Sequence, residues 1–215
     1  MILDKHIFLL RHGETILNAE HIRQGSDGGL SVTGKEQALK AANRLKYFNI
    51  KKILVSPFER TIETANIVSS VINKNYEICD LLAERRNPKE IIGRKYEDPL
   101  TVQVINYIDK SFHAPEARYS DEENFNDLKD RAIKLRSFLE INTVNKTLCI
   151  SHGIFLKMFV SLILIGDGLT VSDYIKLSVY NPADNAAISL ISYSPVKKFF
   201  GKNPWTILAY NDTSL

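Results

Sequence analysis

A chain of 215 residues, 44% hydrophobic and 25% charged, is long enough to bury one full core and has the make-up of a soluble globular protein. Its net charge of +3, with the histidines neutral, suits anionic small molecules. Without an arginine-rich arm or any interleaving of basic and aromatic residues, nucleic acid is not the expected partner.

In chain order, the apolar run Ile7-Phe8-Leu9-Leu10 predicts a strand over 6–11 that ends in Arg11-His12-Gly13. That run is too short for a signal-peptide core, so a cytoplasmic location is the expectation. A polar loop with Gly25, Gly28 and Gly29 follows. A helix is predicted near 33–48, with Thr33 as N-cap, Glu36 completing a capping box, and Ala38, Ala41, Ala42 and Leu45 at helical spacing. Ile53-Leu54-Val55 reads as a short buried strand, Ser56-Pro57 as the opening of a helix to about Ile72, and Tyr76–Leu82 as another strand. Residues 85–120, with Pro88, Pro99 and Pro115, read as a less regular, partly helical lid. Residues 121–140 predict an amphipathic helix with Phe125, Leu128, Ala132, Leu135 and Leu139 on one face. A strand at 147–151 runs into Ser151-His152-Gly153. The apolar stretch after it, interrupted by Lys157 and bounded by Gly166, reads as a buried helix too short to cross a bilayer. Ala187–Tyr193 and Trp205–Tyr210, around a turn region with Gly201 and Pro204, form an expected hairpin.

Strands alternating with helices imply an α/β fold whose largely parallel sheet is covered on both faces, one domain over 1–215 with the lid inserted at about 85–120. Parallel strands end on a common edge, so His12, Ser56 and His152 are expected to meet although the two histidines are 140 positions apart. That edge is where open α/β sheets bind ligands. Cys79 and Cys149 lie in apolar, strand-like surroundings and read as buried free thiols of a reducing compartment. No CxxC pair or HExxH is present, so no metal is expected.

The chemistry concentrates in three stretches. In Arg11-His12-Gly13-Glu14-Thr15, with Asn18, the Arg can hold a phosphate while the imidazole attacks it. Gly13 lets backbone approach, and a helix start offers N–H groups to an anion. In Ser56-Pro57-Phe58-Glu59-Arg60, Arg60 lies one turn into a helix that starts at the same edge, and its planar fork suits two phosphate oxygens at once. Ser151-His152-Gly153 closes the set.

Together with Gln24-Gly25, Leu30-Ser31-x-Thr33-Gly34-x-x-Gln37-Ala38, Ser56-Pro57-x-x-Arg60-x-x-x-Thr64-Ala65, Leu82-x-Glu84 and the ending from Trp205 to Asn211-Asp212, these motifs resemble the histidine phosphatase superfamily, also called phosphoglycerate-mutase-like, in order over most of the chain. The resemblance implies a three-layer α/β/α fold with a mixed sheet, and no cofactor. It makes His12 the nucleophile that becomes a phosphohistidine. Arg11, Arg60 and His152 would clamp the phosphoryl oxygens, and Glu84 would be the proton donor and later the base. Gly13 and Gly153 would lie against the phosphate, and Asn18 and Asn185 are candidates for polar contacts at the rim. By spacing alone Asp80, Glu90, Glu97 and Glu14 compete with Glu84. The chain departs from the family in lacking a His in the tail Thr213-Ser214-Leu215. It also carries Arg85-Arg86-Asn87-Pro88 where true mutases have a His-Tyr-Gly stretch.

Phosphoryl transfer spreads charge over three equatorial oxygens, which two arginines and a cationic His152 would stabilise. Neighbouring positive charge favours the unprotonated His12 needed for attack. The reading is a metal-independent hydrolase of a small phosphomonoester, releasing inorganic phosphate and using no membrane or nucleic-acid partner. A phosphoglycerate mutase and a non-catalytic phospho-ligand module are the alternatives. The basic run Arg85, Arg86, Lys89, Arg94 and Lys95 reads as a solvated face of the lid, with a second anionic contact as its alternative. His6, His21 and His113 have no comparable context.

Overall fold

The computed structural model describes residues 4–114, 116–180 and 182–214; Pro115 of the expected lid and Leu215 of the tail lie outside them. The strands are β1 (Lys5–Arg11), β2 (Lys52–Val55), β3 (Tyr76–Ile78), β4 (Thr147–Ser151), β5 (Ile188–Tyr193) and β6 (Trp205–Asp212). They make one mixed sheet in the order β3-β2-β4-β1-β5-β6. β3, β2, β4 and β1 run parallel, while β5 and β6 add antiparallel at the β1 side as the expected hairpin.

The period-2 alternation of strand side chains sorts the helices into layers. Ile7 and Leu9 of β1, with Leu54 and Cys149, point to the face covered by α5 (Phe125–Asn142) and α6 (Gly153–Ile165). Phe8 and Leu10, with Ile53, Val55, Leu148 and Ile150, point to the opposite face, against Ala41, Ala42 and Leu45 of α2 (Val32–Leu45) and Ala65 and Val68 of α3 (Glu59–Ile72). The result is the three-layer α/β/α arrangement. Cys79 and Cys149 are both buried and free.

Several boundaries differ from the sequence expectations, each for a local reason. α2 starts at Val32 because the Ser31 hydroxyl, not Thr33, caps it by accepting from the Gly34 amide at 2.9 Å. α3 starts two residues after Pro57, behind Phe58. β3 stops at Ile78; beyond the Cys79 amide, which bonds to the Val55 carbonyl, the chain turns into a short 3-10 segment over Asp80–Leu82. α5 begins at Phe125 behind an Asn124/Asp127 capping box. The acidic residues before it have other work. Asp121 accepts from the Lys89 amide, Glu122 from the Tyr119 and Ser120 amides, and Glu123 from the Arg86 amide.

Segment 85–120 is more regular than expected. Pro99, read as an interruption, is the first residue of α4 (Pro99–Ser111), capped by Asp98, a place where the missing N–H costs nothing. Val104 and Ile108 of α4 bury with Ile91 in a small core of their own. Short α1 (Ile16–Ala19), α7 (Val171–Tyr180) and α8 (Pro195–Phe199) complete the set, the last two unexpected from the sequence. No helix among the described residues is long and apolar enough to cross a membrane.

One backbone contact fixes the start of α2 against the end of β1. A Cβ on Gly13 would stand 2.2 Å from the Gly34 carbonyl oxygen, and a Cβ on Gly34 would stand 1.9 Å from that of Glu14. Gly13 is therefore spent on packing against α2, not on admitting a ligand. Gly34→Ala should destabilise by about 3 kcal/mol or more through overpacking. That corresponds to a fall in Tm of roughly 6–12 °C for a chain of this size, to be read by thermal melting.

Candidate active site

A cavity of about 250 Å³ opens at the carboxyl edge of the parallel strands. This is below the roughly 300–1,000 Å³ typical of drug-sized ligands and fits a small molecule. Of the sequence candidates, Arg11, His12, Asn18, Arg60, Glu84 and Gly153 line it. Gly13, His152 and Asn185 do not.

His12 follows β1 and is buried, its amide bonded to the Ser151 carbonyl at 3.0 Å. Its Nδ1–H donates to the Gly13 carbonyl at 2.7 Å, which leaves Nε2 as the unprotonated nitrogen. Burial first, then Arg11 and Arg60, hold the His12 pKa well below its ordinary 6.5. Asn185 works from behind: its Nδ2 donates to the His12 carbonyl at 3.1 Å, so it holds the backbone of His12 and does not reach the rim as expected.

His152 is fully buried, its ring edge-on to His12 at 5.2 Å between centroids. Its Nδ1 accepts from Arg60 Nε at 3.1 Å, so its proton sits on Nε2 and is donated to the Ser56 hydroxyl at 2.7 Å. Burial, Arg60, His12 and Arg11 depress its pKa well below 6.5. The expected cationic His152 is thus corrected to a neutral ring that aims Arg60, because both nitrogens are committed and charge there would face two guanidiniums. The predicted meeting of His12, Ser56 and His152 is present.

Arg60 is buried, with Nη1 on the Gly25 carbonyl at 2.9 Å and its guanidinium 5.0 Å from the Phe58 ring centroid. Burial, opposed by Glu84, brings its pKa to about 10, and it stays cationic at neutral pH. Arg11 donates to the Ala183 carbonyl, and its buried Nε has no partner among the described residues. A Cβ on Gly153 would come within 3.3 Å of that Nε, so Gly153 makes room for Arg11 at the start of α6.

Glu84 is the one carboxylate among the residues lining the cavity. Its oxygens accept from the amides of Arg85 at 2.9 Å, Ile154 at 3.1 Å and Phe155 at 2.9 Å, the last two in the first turn of α6. Of its rivals, Glu14 accepts from the Ser31 hydroxyl and Glu90 from that of Ser120; neither these nor Asp80 nor Glu97 lines the cavity. Asn18 accepts from the Thr15 amide at 3.4 Å as the return half of a capping box.

Sequence reasoning missed Arg23, Asn87, Tyr96 and Lys157, and gave Gln24 no role; all five line the cavity. Lys157 was findable, since it lies four residues after Gly153 on the same helix face. Arg23 and Tyr96 were not. They meet because the loop after α1 pairs with the segment before α4: the Arg23 amide bonds to the Arg94 carbonyl at 2.8 Å, Gly93 to the Arg23 carbonyl at 2.9 Å, and Tyr96 to the His21 carbonyl at 2.8 Å. The Arg23 guanidinium then lies 4.4 Å from the Tyr96 ring centroid.

Two neutral buried imidazoles have a consequence for stability. Below pH 6.5 the unfolded chain protonates both while the folded chain keeps both neutral, so the unfolded state binds more protons and stability is lost as pH falls. The slope reaches about 1.4 kcal/mol per pH unit for each histidine. Denaturant unfolding of the ligand-free protein between pH 7.5 and 5.5 should show this loss. His12→Gln should remove up to about 1.4 kcal/mol per unit of it.

The family model described as histidine phosphatase superfamily (branch 1) matches residues 7–212. Probable phosphoglycerate mutase GpmB of Citrobacter koseri is 33% identical over 164 residues, 74% of each chain, and that of Escherichia coli K12 is 32% identical over the same share. Among solved structures, a putative alpha-ribazole-5'-P phosphatase from Escherichia coli superposes with a TM-score of 0.80 at 21% identity over 98% of each chain. A phosphoserine phosphatase mutant from Entamoeba histolytica in complex with phosphoserine gives 0.74 at 22%, again over 98% of each. A mycobacterial glucosyl-3-phosphoglycerate phosphatase gives 0.77 at 19%, over 97% of this chain and 99% of that one. This chain belongs to the histidine phosphatase superfamily, branch 1.

Proposed function

We propose that this chain is a metal-independent phosphomonoester hydrolase that acts on a small phosphorylated metabolite through a phosphohistidine at His12. Residues 1–215 would work as one domain, with 85–120 as the cover of the site. The observation that carries the reading is the His12 ring: Nδ1–H is tied to the Gly13 carbonyl, and the neutral Nε2 stands in a cavity with two cationic guanidiniums.

In the first step the Nε2 lone pair forms the bond to phosphorus as the ester P–O bond breaks. Arg11 and Arg60 stabilise the charge on the equatorial oxygens, the work a metal ion does in other phosphoryl-transfer sites. The leaving oxygen takes a proton from Glu84, whose carboxyl is the one acid lining the cavity. Water then attacks the phosphohistidine, losing its proton to the same carboxylate, and inorganic phosphate and free His12 are regenerated. His152 acts through Arg60, Asn185 through the His12 backbone. The names of structural neighbours, phosphatases of phosphoserine and of glucosyl-3-phosphoglycerate among them, support a small phosphorylated substrate.

The relatives' name, probable phosphoglycerate mutase, favours a second reading in which the phosphoryl group is handed back to the substrate. Release of inorganic phosphate from a panel of phosphomonoesters supports hydrolysis. Interconversion of 3- and 2-phosphoglycerate, primed by 2,3-bisphosphoglycerate and without net phosphate release, would replace it with the mutase. His12→Ala should lower kcat by at least about a thousandfold while inorganic phosphate still binds through Arg11 and Arg60. A variant retaining a tenth of the parental rate would exclude His12 as nucleophile. Prior treatment with EDTA should leave the rate unchanged, and an acid-labile phosphoenzyme should be trapped from the parent alone.

A further inference from the structure

We infer that the cavity contains a second anion subsite centred on Arg23, so that the substrate is a phosphomonoester bearing a further carboxylate or phosphate group. The inference takes from the proposed function the seat of the phosphoryl group, at His12, Arg11 and Arg60.

The chain has ten arginines, and how they are paired is informative. Arg44, Arg94, Arg118, Arg131 and Arg136 each form an ion pair with a carboxylate, and Arg86 donates to the Asp121 carbonyl. The other four, Arg11, Arg23, Arg60 and Arg85, have no carboxylate at salt-bridge distance among the described residues. Three of them line one cavity, and the pKa of Arg23 is pushed down by burial and, less strongly, by the nearby charge of Arg85. The Nε atoms of Arg11, Arg23 and Arg85 are buried without a hydrogen-bond partner among the described residues. A buried guanidinium donor left unmatched is costly, and its usual partner is an anion.

The lining carries four cationic side chains, Arg11, Arg23, Arg60 and Lys157, against one carboxylate, Glu84. A phosphoryl dianion seated on Arg11 and Arg60 leaves Arg23 and Lys157 unmatched. Arg23 is also held still. Its backbone bonds in both directions to segment 93–94, and its guanidinium is stacked on Tyr96. A planar fork already fixed by stacking loses little entropy on taking a carboxylate or phosphate. Of the basic run at 85–95, Arg85 lies near Arg23 but does not line the cavity, Arg94 is paired with Asp98, Arg86 is bonded to Asp121, and Lys89 and Lys95 are exposed.

The test compares matched esters. Glycerol 3-phosphate and 3-phosphoglycerate differ by a hydroxymethyl group in place of a carboxylate, and propane-1,3-diol bisphosphate carries a second phosphate instead. The parent should favour a doubly anionic ester over glycerol 3-phosphate by about tenfold or more in kcat/KM, and the better of the two identifies the second group. Arg23→Gln should reduce that ratio to about twofold through KM, and Arg23→Lys should restore part of it. No preference in the parent, or an unchanged preference in Arg23→Gln, overturns the subsite. Calorimetric binding of 4-phosphonobutyrate against butylphosphonate poses the same question without turnover. If no ester is hydrolysed but the binding preference is present and depends on Arg23, the hydrolase reading fails and the subsite stands. If esters are hydrolysed with no preference, the subsite fails and the hydrolase reading stands.

Discussion

Guanidinium groups held in a half-enclosed cavity, with one carboxylate, Glu84, set against them and none at ion-pair distance among the described residues, are the constraint around which this molecule is arranged. Such groups pay a desolvation penalty and repel one another, so the surrounding structure must hold them by neutral means. The holding is done by carbonyls and rings: Ala183 for Arg11, Gly25, His152 and Phe58 for Arg60, Tyr96 for Arg23. None of these partners cancels the charge. Arg11 and Arg23 each keep a buried Nε without a partner among the described residues. Burial first, and then the same field, keeps the two imidazoles neutral. That makes one of them a free base and the other a hydrogen-bond acceptor for Arg60.

The sheet makes this convergence possible. β1, β2 and β4 are parallel neighbours, so the residues just past their ends fall side by side from stretches far apart in the chain. α6 then starts against Arg11 and presents its first-turn amides to Glu84, which places the one acid of the cavity beside its two central arginines. The contact of Gly13 with Gly34 fastens the loop after β1 to α2, and it is pure backbone packing with no room for a side chain on either partner.

Much of this was legible in the sequence because each motif stands at a strand end, where residue type and place coincide. His12, Arg60 and the His12–His152 juxtaposition were readable on that basis, whereas Glu84 was separated from its rivals only by the family resemblance. What escaped is instructive. The charge state of His152 depends on burial and on Arg60, neither of which spacing reveals. Gly13 and Asn185 have local jobs that only their contacts disclose. α4 was hidden by Pro99, a residue that breaks helices everywhere except at their start. Arg23 and Tyr96 are brought together by two loops that pair across more than seventy positions of sequence, and no periodicity marks such a pairing.

The acidic residues at 121–123 directly follow segment 85–120, and their carboxylates are taken up by the amides of residues 86, 89, 119 and 120. Negative charge is thereby used as mortar for the backbone and kept off the cavity wall. The mouth consequently projects an unbalanced positive potential into solvent, focused by low-dielectric walls. Diffusing anions are drawn toward it before any contact forms. The frequency of productive encounters should therefore fall as ionic strength rises, a property set by the excess of cations in the lining and left intact because these three carboxylates are anchored elsewhere.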